Sequence, residues 1–396
     1  MADLHIHSRY SMATSQFTNL QNLVSGAKLK GIGLLATGDC LHPKWLAELR
    51  SALTKKSEGF YEYNGVMLVV AGEISTVHRD IDGRTHRIHH LIYLPSLDTA
   101  GALAERLGKY GNMSSDGRPT IGLEPAALVD EVASTASRSE FEIVPAHVWT
   151  PWFSALGARA GFDSLEECYG ERTSEIHALE TGLSSDPGMN WRVSSLDRFS
   201  LLSNSDSHSH QPWRIGREAN VFEWGEPTYP SFIKSLRTGV GLKFTIEVPP
   251  EFGKYHWTGH RLCGVSMPPA QAKKVNDLCP VCGKKMTIGV EERVDQLSDR
   301  PNGFKPPLRP PYIKLLPLYE LLLIATHAAS YYTQSVSGLF ATAITKYNNE
   351  FNFIFNAPLD EVGRLHPALR ALVSKIRSGD LAVKPGYDGV YGVLAS

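Results

Sequence analysis

The stretch Asp3-Leu4-His5-Ile6-His7-Ser8 decides the predicted fold of this chain. Polar and apolar residues alternate in it, which is typical of a β-strand, and residues two apart on a strand point to the same face. His5 and His7 are therefore expected to present two imidazoles side by side. Because imidazoles and carboxylates suit divalent transition metals, this strand predicts part of a metal site.

A second stretch has the same spacing of metal-binding side chains. In Ser203-Asn204-Ser205-Asp206-Ser207-His208-Ser209, a carboxylate and an imidazole lie two residues apart. Further acidic and histidine residues follow apolar segments, at Asp39, Glu73, His147 and Glu180. Functional side chains collect at the carboxyl ends of strands in parallel α/β folds and barrels. These residues are therefore expected to meet in one site.

Strand-like and helix-like segments alternate through the first part of the chain, which predicts the α/β class and a distorted β/α barrel over residues 1–247. A small zinc-binding module is expected over residues 248–303, where cysteines cluster. A proline-rich connector at 301–311 leads into a C-terminal helical region, residues 304–396, that is expected to contact phosphates.

The candidate catalytic metal ligands share imidazole or carboxylate chemistry and positions near predicted strand ends. They are His5, His7, Asp39, His42, Glu73, His89, His147, Asp206 and His208. His89 and His90 are adjacent on a strand and face opposite ways, so only one can join the site; His89 is preferred and His90 stays an alternative. Two or three ions could share these ligands. The mixed donors favour Zn²⁺ or Mn²⁺ over Mg²⁺.

The expected chemistry is hydrolysis by metal-activated water, with Zn²⁺, Mn²⁺ or Mg²⁺ as the cofactor. No glycine-rich phosphate loop and no G-x-S-x-G nucleophile turn occur in the sequence. A covalent protein intermediate is therefore not needed.

The clustered cysteines predict a separate, structural zinc site. Two x₂ spacings, His260 to Cys263 and Cys279 to Cys282, supply four ligands for tetrahedral Zn²⁺. His256 is a rival for the histidine position. In a chain without a visible secretion signal, clustered cysteines favour a metal over disulfides.

Composition and charge restrict the class of protein. Hydrophobic residues make up 42% and charged residues 20% of the 396 residues, which is ordinary for a soluble globular protein. No apolar run approaches the ~20 residues of a membrane span, and no secretory signal is visible, so a cytoplasmic protein is expected. Residues 1–250 hold 23 basic and 29 acidic residues, and residues 251–396 hold 17 and 12. The basic second part predicts contact with phosphates.

The two end motifs resemble the first and last motifs of the PHP (polymerase and histidinol phosphatase) family. The resemblance implies a distorted barrel of seven strands that binds up to three metals and hydrolyses phosphoesters. The second motif of that family, Thr-Asp-His, stands here as Thr37-Gly38-Asp39-Cys40-Leu41-His42. Since Cys40 occupies the place of the usual histidine, Asp39 or His42 is expected to take the ligand role.

Longer stretches resemble the endonuclease Q family, at 145–153, 179–187, 216–220 and 253–301. This resemblance implies an endonuclease that cuts double-stranded DNA on the 5′ side of deaminated bases (hypoxanthine, uracil, xanthine) and abasic sites. The lesion base is expected to leave the stack and enter a pocket near the loops at 149–153 and 184–190. The candidate substrate-binding residues are Trp149, Trp152, Glu180, Ser184, Ser185, Trp191, Arg192 and Arg217.

Two other functions stay open at this point. A PHP-type phosphoesterase or exonuclease would act on small phosphoesters or DNA ends, although a zinc module and a basic C-terminal part do not favour a small substrate. A nucleic-acid-binding protein with an inactive barrel is the other alternative, and the large set of candidate ligands does not favour it.

Overall fold

Strands and helices alternate through the first part of the chain in the computed structural model, which describes residues 1–159 and 161–395. The strands of this part are β1 (Ala2–Asp3), β2 (Leu34–Ala36), β3 (Thr54–Ser57), β4 (Phe60–Tyr63), β5 (Val66–Arg79), β6 (Thr85–Leu94), β7 (Thr120–Ile121), β8 (Glu142–Pro145), β9 (Ala178–Glu180), β10 (Ser200–Leu202), β11 (Ala219–Phe222) and β12 (Leu242–Glu247). Its helices are α1 (Leu20–Lys30), α2 (Pro43–Ala52), α3 (Leu97–Leu107), α4 (Pro125–Ala133), α5 (Leu165–Tyr169), α6 (Pro187–Asn190) and α7 (Tyr229–Thr238). The predicted α/β class is confirmed, in the form of a mixed α/β fold.

The rest of the chain is mainly helical. After residue 247 the elements are β13 (Thr258–His260), β14 (Val265–Met267), α8 (Pro269–Lys274), α9 (Val290–Leu297), β15 (Tyr312–Lys314), α10 (Leu318–Thr326), α11 (Gln334–Tyr347), α12 (Glu350–Asn356), α13 (Leu359–Leu365), α14 (Pro367–Ser378), β16 (Val383–Lys384) and β17 (Val393–Leu394). Strands β13 and β14 form an antiparallel hairpin just before α8.

The barrel prediction is wrong in one respect, because the sheet is not closed. Among the described residues the strand order is β15-β12-β11-β1-β2-β5-β4-β3, with β6 on β5 and β8 on β6. Strands β9 and β10 pair only with each other. The long β5–β6 hairpin is antiparallel, and so are the contacts of β11 with β1 and β12. The sheet is therefore mixed rather than a ring of parallel strands.

Side chains take the place of ladder hydrogen bonds where the ring stays open. The side-chain carbonyl of Asn204 accepts from the Leu4 backbone N–H at 3.1 Å, and that of Asn220 accepts from the Ser203 N–H at 3.0 Å. The Asn220 amide also donates to the Asn204 side chain at 2.8 Å. These buried amides satisfy backbone groups between β10 and its neighbours β1 and β11, so the strands approach without a regular ladder.

Helix α1 has clear boundary residues and connects the α/β part to the C-terminal helices. Asn19 caps it by accepting from the Asn22 N–H at 3.0 Å, and Gly31 ends it in the left-handed conformation with a φ of 101°. Both are standard helix boundary signals. Its buried Lys30 forms an ion pair with Glu350 of α12, at 2.6 Å between Nζ and Oε1. This pair fixes the C-terminal helices against the α/β part.

The hydrophobic core extends beyond the sheet. Buried side chains of α9 to α14 belong to the same cluster as those of the strands. Ala272, Cys279 and Met286 form a separate, much smaller cluster beside α8. In the part of the chain that the structure describes, no helix has the length and apolar character needed to cross a bilayer.

Candidate metal centre

The first and last motifs of the α/β part lie side by side. Ile6 and Ser207 form a parallel bridge, and the His7 N–H donates to the Ser207 carbonyl at 2.9 Å. This pairing brings His5 and His7 next to Asp206. The two ends of the predicted site therefore meet although they are far apart in the sequence.

Four side chains from these motifs and from β5 make the first ligand group, which is His5, His7, Glu73 and Asp206. The Nε2 atom of His7 lies 3.2 Å from both Glu73 Oε2 and Asp206 Oδ1. The Nε2 atom of His5 lies 3.4 Å and 3.5 Å from the same two oxygens. One ligand atom from each residue falls within 4.8 Å of the others, so the group could hold a metal ion.

A second ligand group shares Glu73 and adds His89 and His147. The Oε1 atom of Glu73 lies 2.8 Å from His89 Nδ1 and 3.3 Å from His147 Nε2. The β5–β6 register pairs Glu73 with Leu91, which puts His89 diagonally opposite on the same face. Strand β5 continues to Arg79, so Glu73 lies within a strand and not at the strand end that the sequence predicted.

Orphaned polar atoms test whether these residues fit a metal. His5 Nε2, His7 Nε2 and Asp206 Oδ1 are buried and make no hydrogen bond, and the same holds for Glu73 Oε1. Leaving buried polar atoms unpaired costs free energy. All four point into the two ligand groups, and all are of a type that coordinates divalent cations. The donor set therefore fits bound metal.

The pKa shifts of the site residues also indicate a site that binds cations. Burial lowers the pKa of His5, but the carboxylates of Glu180 and Glu73 outweigh it and raise that pKa well above its ordinary value. Burial raises the pKa of Asp206, but the positive charges of neighbouring histidines, His5 above all, hold it well below the usual range. Burial lowers the pKa of His89 to about 4, which leaves a neutral imidazole. Protons and metal cations therefore compete for the same acceptor atoms.

Three residues of the site adopt backbone conformations that are uncommon for residues other than glycine. Asp39, His147 and Asp206 have φ values of 44°, 33° and 45°. Each of them follows a strand closely, where a sharp change of direction turns the side chain toward the ligand groups. Such conformations cluster at functional sites because the surrounding structure must hold them.

Asp39 and His42, the two candidates of the second motif, both lie outside the ligand groups. Asp39 contacts His7, with 3.0 Å between Oδ1 and Nδ1, and accepts from the Ser8 N–H at 2.7 Å. His42 is the N-cap of α2 and accepts from the Trp45 N–H at 3.4 Å. Asp39 thus orients the imidazole of His7, and His42 stabilises a helix.

His208 and His90 also have distinct surroundings. His208 stacks on His7 at 4.1 Å between ring centroids, and its Nε2 lies 3.5 Å from Asp206 Oδ1. His90 faces away from the ligand groups and contacts Thr76 and Tyr169 at 2.8 and 2.7 Å. Of the adjacent pair on β6, His89 is the histidine that reaches Glu73.

Glu180 is buried behind the first ligand group. Its Oε1 lies 3.0 Å from His5 Nδ1, and its Oε2 accepts from the His147 N–H at 2.8 Å. It therefore orients the imidazole of His5 and holds the backbone that carries His147. Carboxylates in this position fix the tautomer of a metal-binding histidine and raise its basicity.

Arg118 was missed by the sequence analysis. Its guanidinium lies 3.2 Å from Glu73 Oε2 and faces the cleft over the site. Asp116-Gly117 predicts a turn before it, and the Gly117 N–H donates to the Tyr10 carbonyl at 2.9 Å. No spacing in the sequence could predict that this turn docks beside the ligand groups, because the docking depends on a distant loop.

A cleft of about 810 Å³ opens above the ligand groups, and His89, His147 and Asp206 contribute to its lining. Other lining residues are Trp152, Phe153, Ser184, Arg214, Arg217 and Tyr255. A smaller cavity of about 300 Å³ adjoins it and shares Arg214, Arg217 and Tyr391 with it. Of the candidate substrate-binding residues, Trp152, Ser184 and Arg217 line the cleft.

The other substrate-binding candidates make structural contacts. Trp149 is buried and donates to the Asn190 side chain at 2.8 Å. Trp191 is buried against Tyr312, and Arg192 forms an ion pair with Asp295 of α9 at 2.5 Å. Ser185 is buried and donates to the carbonyl of Thr181. None of these side chains is among the residues that line the cleft.

The cysteine cluster forms a third group that could hold a metal ion. His260, Cys263, Cys279 and Cys282 bring one ligand atom each to within 4.8 Å of one another. The backbone N–H groups of Cys282 and Val281 help to lower the pKa of the Cys279 thiol to about 6, although burial opposes the shift. A thiolate at neutral pH is the form that binds metal.

His256, the rival histidine, lies elsewhere. Its Nε2 is 3.5 Å from Glu291 Oε2 of α9. His260 is therefore the histidine that completes the group of thiols.

The fold and the site define a class of protein. The class comprises mixed α/β proteins that gather histidines and carboxylates from several strands into adjoining metal-ligand groups below an open cleft. No protein family model matches the chain.

Two solved structures superpose over nearly the whole chain. The lesion-specific endonuclease PfuEndoQ from Pyrococcus furiosus is 31% identical, with a TM-score of 0.88 over 99% of this chain and 94% of that one. Endonuclease Q in complex with a 27-mer duplex that has an abasic lesion at the active site is also 31% identical, with a TM-score of 0.87 over 99% and 95%. This chain belongs to the endonuclease Q family.

Two uncharacterised proteins are similar in sequence. The protein YqxK of Bacillus subtilis is 29% identical over 418 residues, which cover 99% of this chain and 98% of that protein. A protein of Methanocaldococcus jannaschii is 34% identical over 252 residues, which cover 62% of this chain. The matched segment is 31% of the length of the M. jannaschii protein.

Proposed function

We propose that this chain is a metal-dependent DNA repair endonuclease that hydrolyses the phosphodiester on the 5′ side of deaminated bases and abasic sites. One observation carries the proposal: two ligand groups share Glu73 below an open cleft, in a chain that is 31% identical to an endonuclease Q crystallised with an abasic duplex. The proposed lesions are hypoxanthine, uracil, xanthine and the abasic site.

In this proposal the two ligand groups hold the catalytic ions. His5, His7, Glu73 and Asp206 bind one ion, and Glu73 with His89 and His147 binds a second. Bound divalent ions would lower the pKa of coordinated water and polarise a phosphoryl oxygen. The imidazole-rich donor set favours Zn²⁺ or Mn²⁺ over Mg²⁺.

The surrounding residues position the ligands and the substrate. Glu180 and Asp39 hold His5 and His7 in orientation through their Nδ1 atoms. Arg118, between Glu73 and the cleft, is available to contact a phosphate oxygen of the bound strand. A planar guanidinium suits such an oxygen because it presents several N–H donors in one plane.

The lesion base is proposed to leave the duplex and enter the cleft. Trp152 and Tyr255, which contact each other edge to face at 5.0 Å, provide an aromatic wall, and Ser184 adds a polar group. Stacking on aromatic side chains stabilises an extruded base. Arg214 and Arg217 lie where the cleft meets the smaller cavity. They can contact the phosphates of the strand that carries the extruded base.

The remainder of the chain is proposed to hold the duplex. Residues 251–396 contain 17 basic and 12 acidic residues, so their net charge is opposite to that of DNA. The cysteine cluster is proposed to bind a structural Zn²⁺. The small apolar cluster beside it, of Ala272, Cys279 and Met286, is too small to fold that segment by itself.

A nicking assay tests the proposal directly. Purified protein and Mn²⁺ are incubated with end-labelled duplexes that carry one deoxyinosine, one deoxyuridine, one deoxyxanthosine or one abasic site at the same position. We expect a single nick immediately 5′ of each lesion and no cleavage of the undamaged duplex. Progressive shortening from the ends would contradict the endonuclease proposal.

A matched pair of variants connects the nick to the ligand groups. Asp206→Asn removes a charge from the first ligand group and is expected to abolish nicking while leaving DNA binding. Asp98→Asn makes the same change at an exposed surface carboxylate of α3. It is expected to nick like the wild type. Full nicking by Asp206→Asn would contradict the assignment of the site.

A further inference from the structure

An exposed loop beside the metal centre has a feature that the proposed function does not use. Residues 8–18, called the Met12 loop here, contain Met12 and Phe17, each 70% exposed. Single exposed apolar side chains are common on protein surfaces, so the relevant feature of Met12 is its position beside the metal centre and not its exposure alone. Ala13, next to Met12, lines the cleft over the ligand groups. Met12 therefore stands at the rim of the site.

The backbone of Met12 is held firmly while its side chain is free. Its N–H donates to Asp116 Oδ1 at 3.0 Å, and its carbonyl accepts from His208 Nδ1 at 3.0 Å. The neighbouring Thr14 hydroxyl donates to the Ser11 carbonyl at 2.6 Å. A rigid backbone that carries an exposed apolar tip loses little conformational entropy when the tip is inserted into a partner.

The hydrogen bond to His208 connects Met12 to the metal centre. His208 Nε2 lies 3.5 Å from Asp206 Oδ1, and its ring stacks on His7. The position of Met12 is thereby fixed relative to the first ligand group. An endonuclease that cuts next to a lesion needs this kind of fixed relation, because the opened base step must stay in register with the cleaved bond.

We propose that Met12 inserts into the base stack at the position vacated by the extruded lesion nucleotide, and that it thereby sets the preference for paired DNA. This inference rests on the proposed function. Extrusion of a paired base costs a few kcal/mol in lost stacking and pairing, and an apolar side chain in the gap restores part of it. The unbranched thioether of methionine adapts to different neighbouring bases.

Comparison of paired and unpaired substrates separates this role from a general role in catalysis. In a single strand the lesion base has no partner and little stacking to lose, so insertion gives no advantage. Met12→Ala is expected to lower kcat/KM on a deoxyinosine duplex by about tenfold, since insertion offsets part of the unstacking cost. The same variant is expected to nick a single-stranded deoxyinosine oligonucleotide at the wild-type rate. Met12→Leu, which keeps an apolar tip, is expected to restore most of the duplex rate.

Two further alanine variants are the controls. Phe17→Ala removes the other equally exposed apolar side chain of the Met12 loop. Ile81→Ala removes a fully exposed apolar side chain from the turn between β5 and β6, several residues beyond Glu73 along the strand. Both are expected to keep the wild-type ratio of duplex to single-strand activity.

Each alternative outcome contradicts the proposal in a recognisable way. Equal losses on duplex and single strand in Met12→Ala would mean that Met12 acts through His208 on the metal centre. An unchanged duplex rate would mean that it inserts nowhere, and a duplex-specific loss only in Phe17→Ala would move the role to Phe17. If the wild type nicks neither substrate, the proposed function itself fails, which is distinct from all three.

Discussion

Asp39 Oδ1 lies 3.0 Å from Nδ1 of His7, while Nε2 of the same imidazole points into the first ligand group. The carboxylate also accepts hydrogen bonds from the Ser8 N–H at 2.7 Å, the Ser8 hydroxyl at 2.6 Å and the Ser11 hydroxyl at 2.9 Å. These donors satisfy Asp39 from the side away from the metal centre. Its role is therefore to orient His7.

Asp39→Asn is expected to weaken metal binding by about 10- to 100-fold, as is usual when a carboxylate behind a histidine ligand is lost. The number of ions bound at saturation should stay unchanged, because both ligand groups remain complete. Isothermal titration with Mn²⁺ measures both quantities, with Asp98→Asn as the control. Loss of one whole ion would show that Asp39 is itself a ligand.

His42 has a local structural role that predicts a different effect. It caps α2 through the Trp45 N–H and stacks on Tyr10 at 4.5 Å. His42→Ala is expected to lower the free energy of unfolding by about 1 kcal/mol, the usual cost of losing an N-cap. His42→Asn, which retains a capping acceptor, should lose less. Urea denaturation measures the difference, and loss of a bound metal ion in either variant would contradict this role.

The cysteine cluster is expected to need all of its ligands. Cys279→Ser should lose about one equivalent of zinc and lower the melting temperature, because structural zinc contributes folding free energy directly. Metal analysis and thermal unfolding measure the two effects. Cys168→Ala is the control, since this thiol is buried outside the cluster. A Cys279→Ser variant with full zinc content and unchanged melting would contradict the structural role.

The buried carboxyl of Glu247 is expected to contribute to the pH dependence of the protein's stability. Burial, together with the charge of Asp186, raises the pKa of Glu247 from 4.5 to about 8. Between these values the folded state binds a proton that the unfolded chain has released. This contribution to stability is present at low pH and is lost as the pH rises through the folded pKa.

Glu247→Gln is expected to flatten the decline of the melting temperature between about pH 4.5 and about pH 8, because the amide does not titrate. Glu223→Gln, at an exposed position paired with Lys243, is the control and should keep the wild-type decline. Thermal unfolding at a series of pH values measures the slopes. An unchanged slope in Glu247→Gln would contradict the inferred neutral state of Glu247.

The boundaries of a helix depend on local signals, as at α1, whose capping Asn19 and terminal Gly31 are adjacent to it in the sequence. The gathering of His5, His7, Asp206 and Glu73 was also predictable, since two-residue spacing and placement near strands are visible in the sequence. The closed barrel was not, because whether strands complete a ring depends on non-local pairing. Here buried Asn204 and Asn220 replace ladder bonds at the opening.

Residues whose role depends on distant contacts were the hardest to assign. Trp149 and Arg192 have the chemistry of substrate-binding residues, but Asn190 and Asp295 occupy their polar groups. Arg118 has no pattern around it beyond a turn, and its contact with Glu73 arises only because its loop packs on the Met12 loop. Side-chain type alone cannot separate these cases.

The sharing of Glu73 between two ligand groups is the central claim, and an anomalous scattering map of crystals soaked in Mn²⁺ tests it most directly. We expect two peaks, one on each side of the Glu73 carboxylate, the first within reach of His5 and His7 and the second within reach of His89 and His147. Peaks placed elsewhere, or an absence of peaks beside Glu73 at saturating Mn²⁺, would contradict the account.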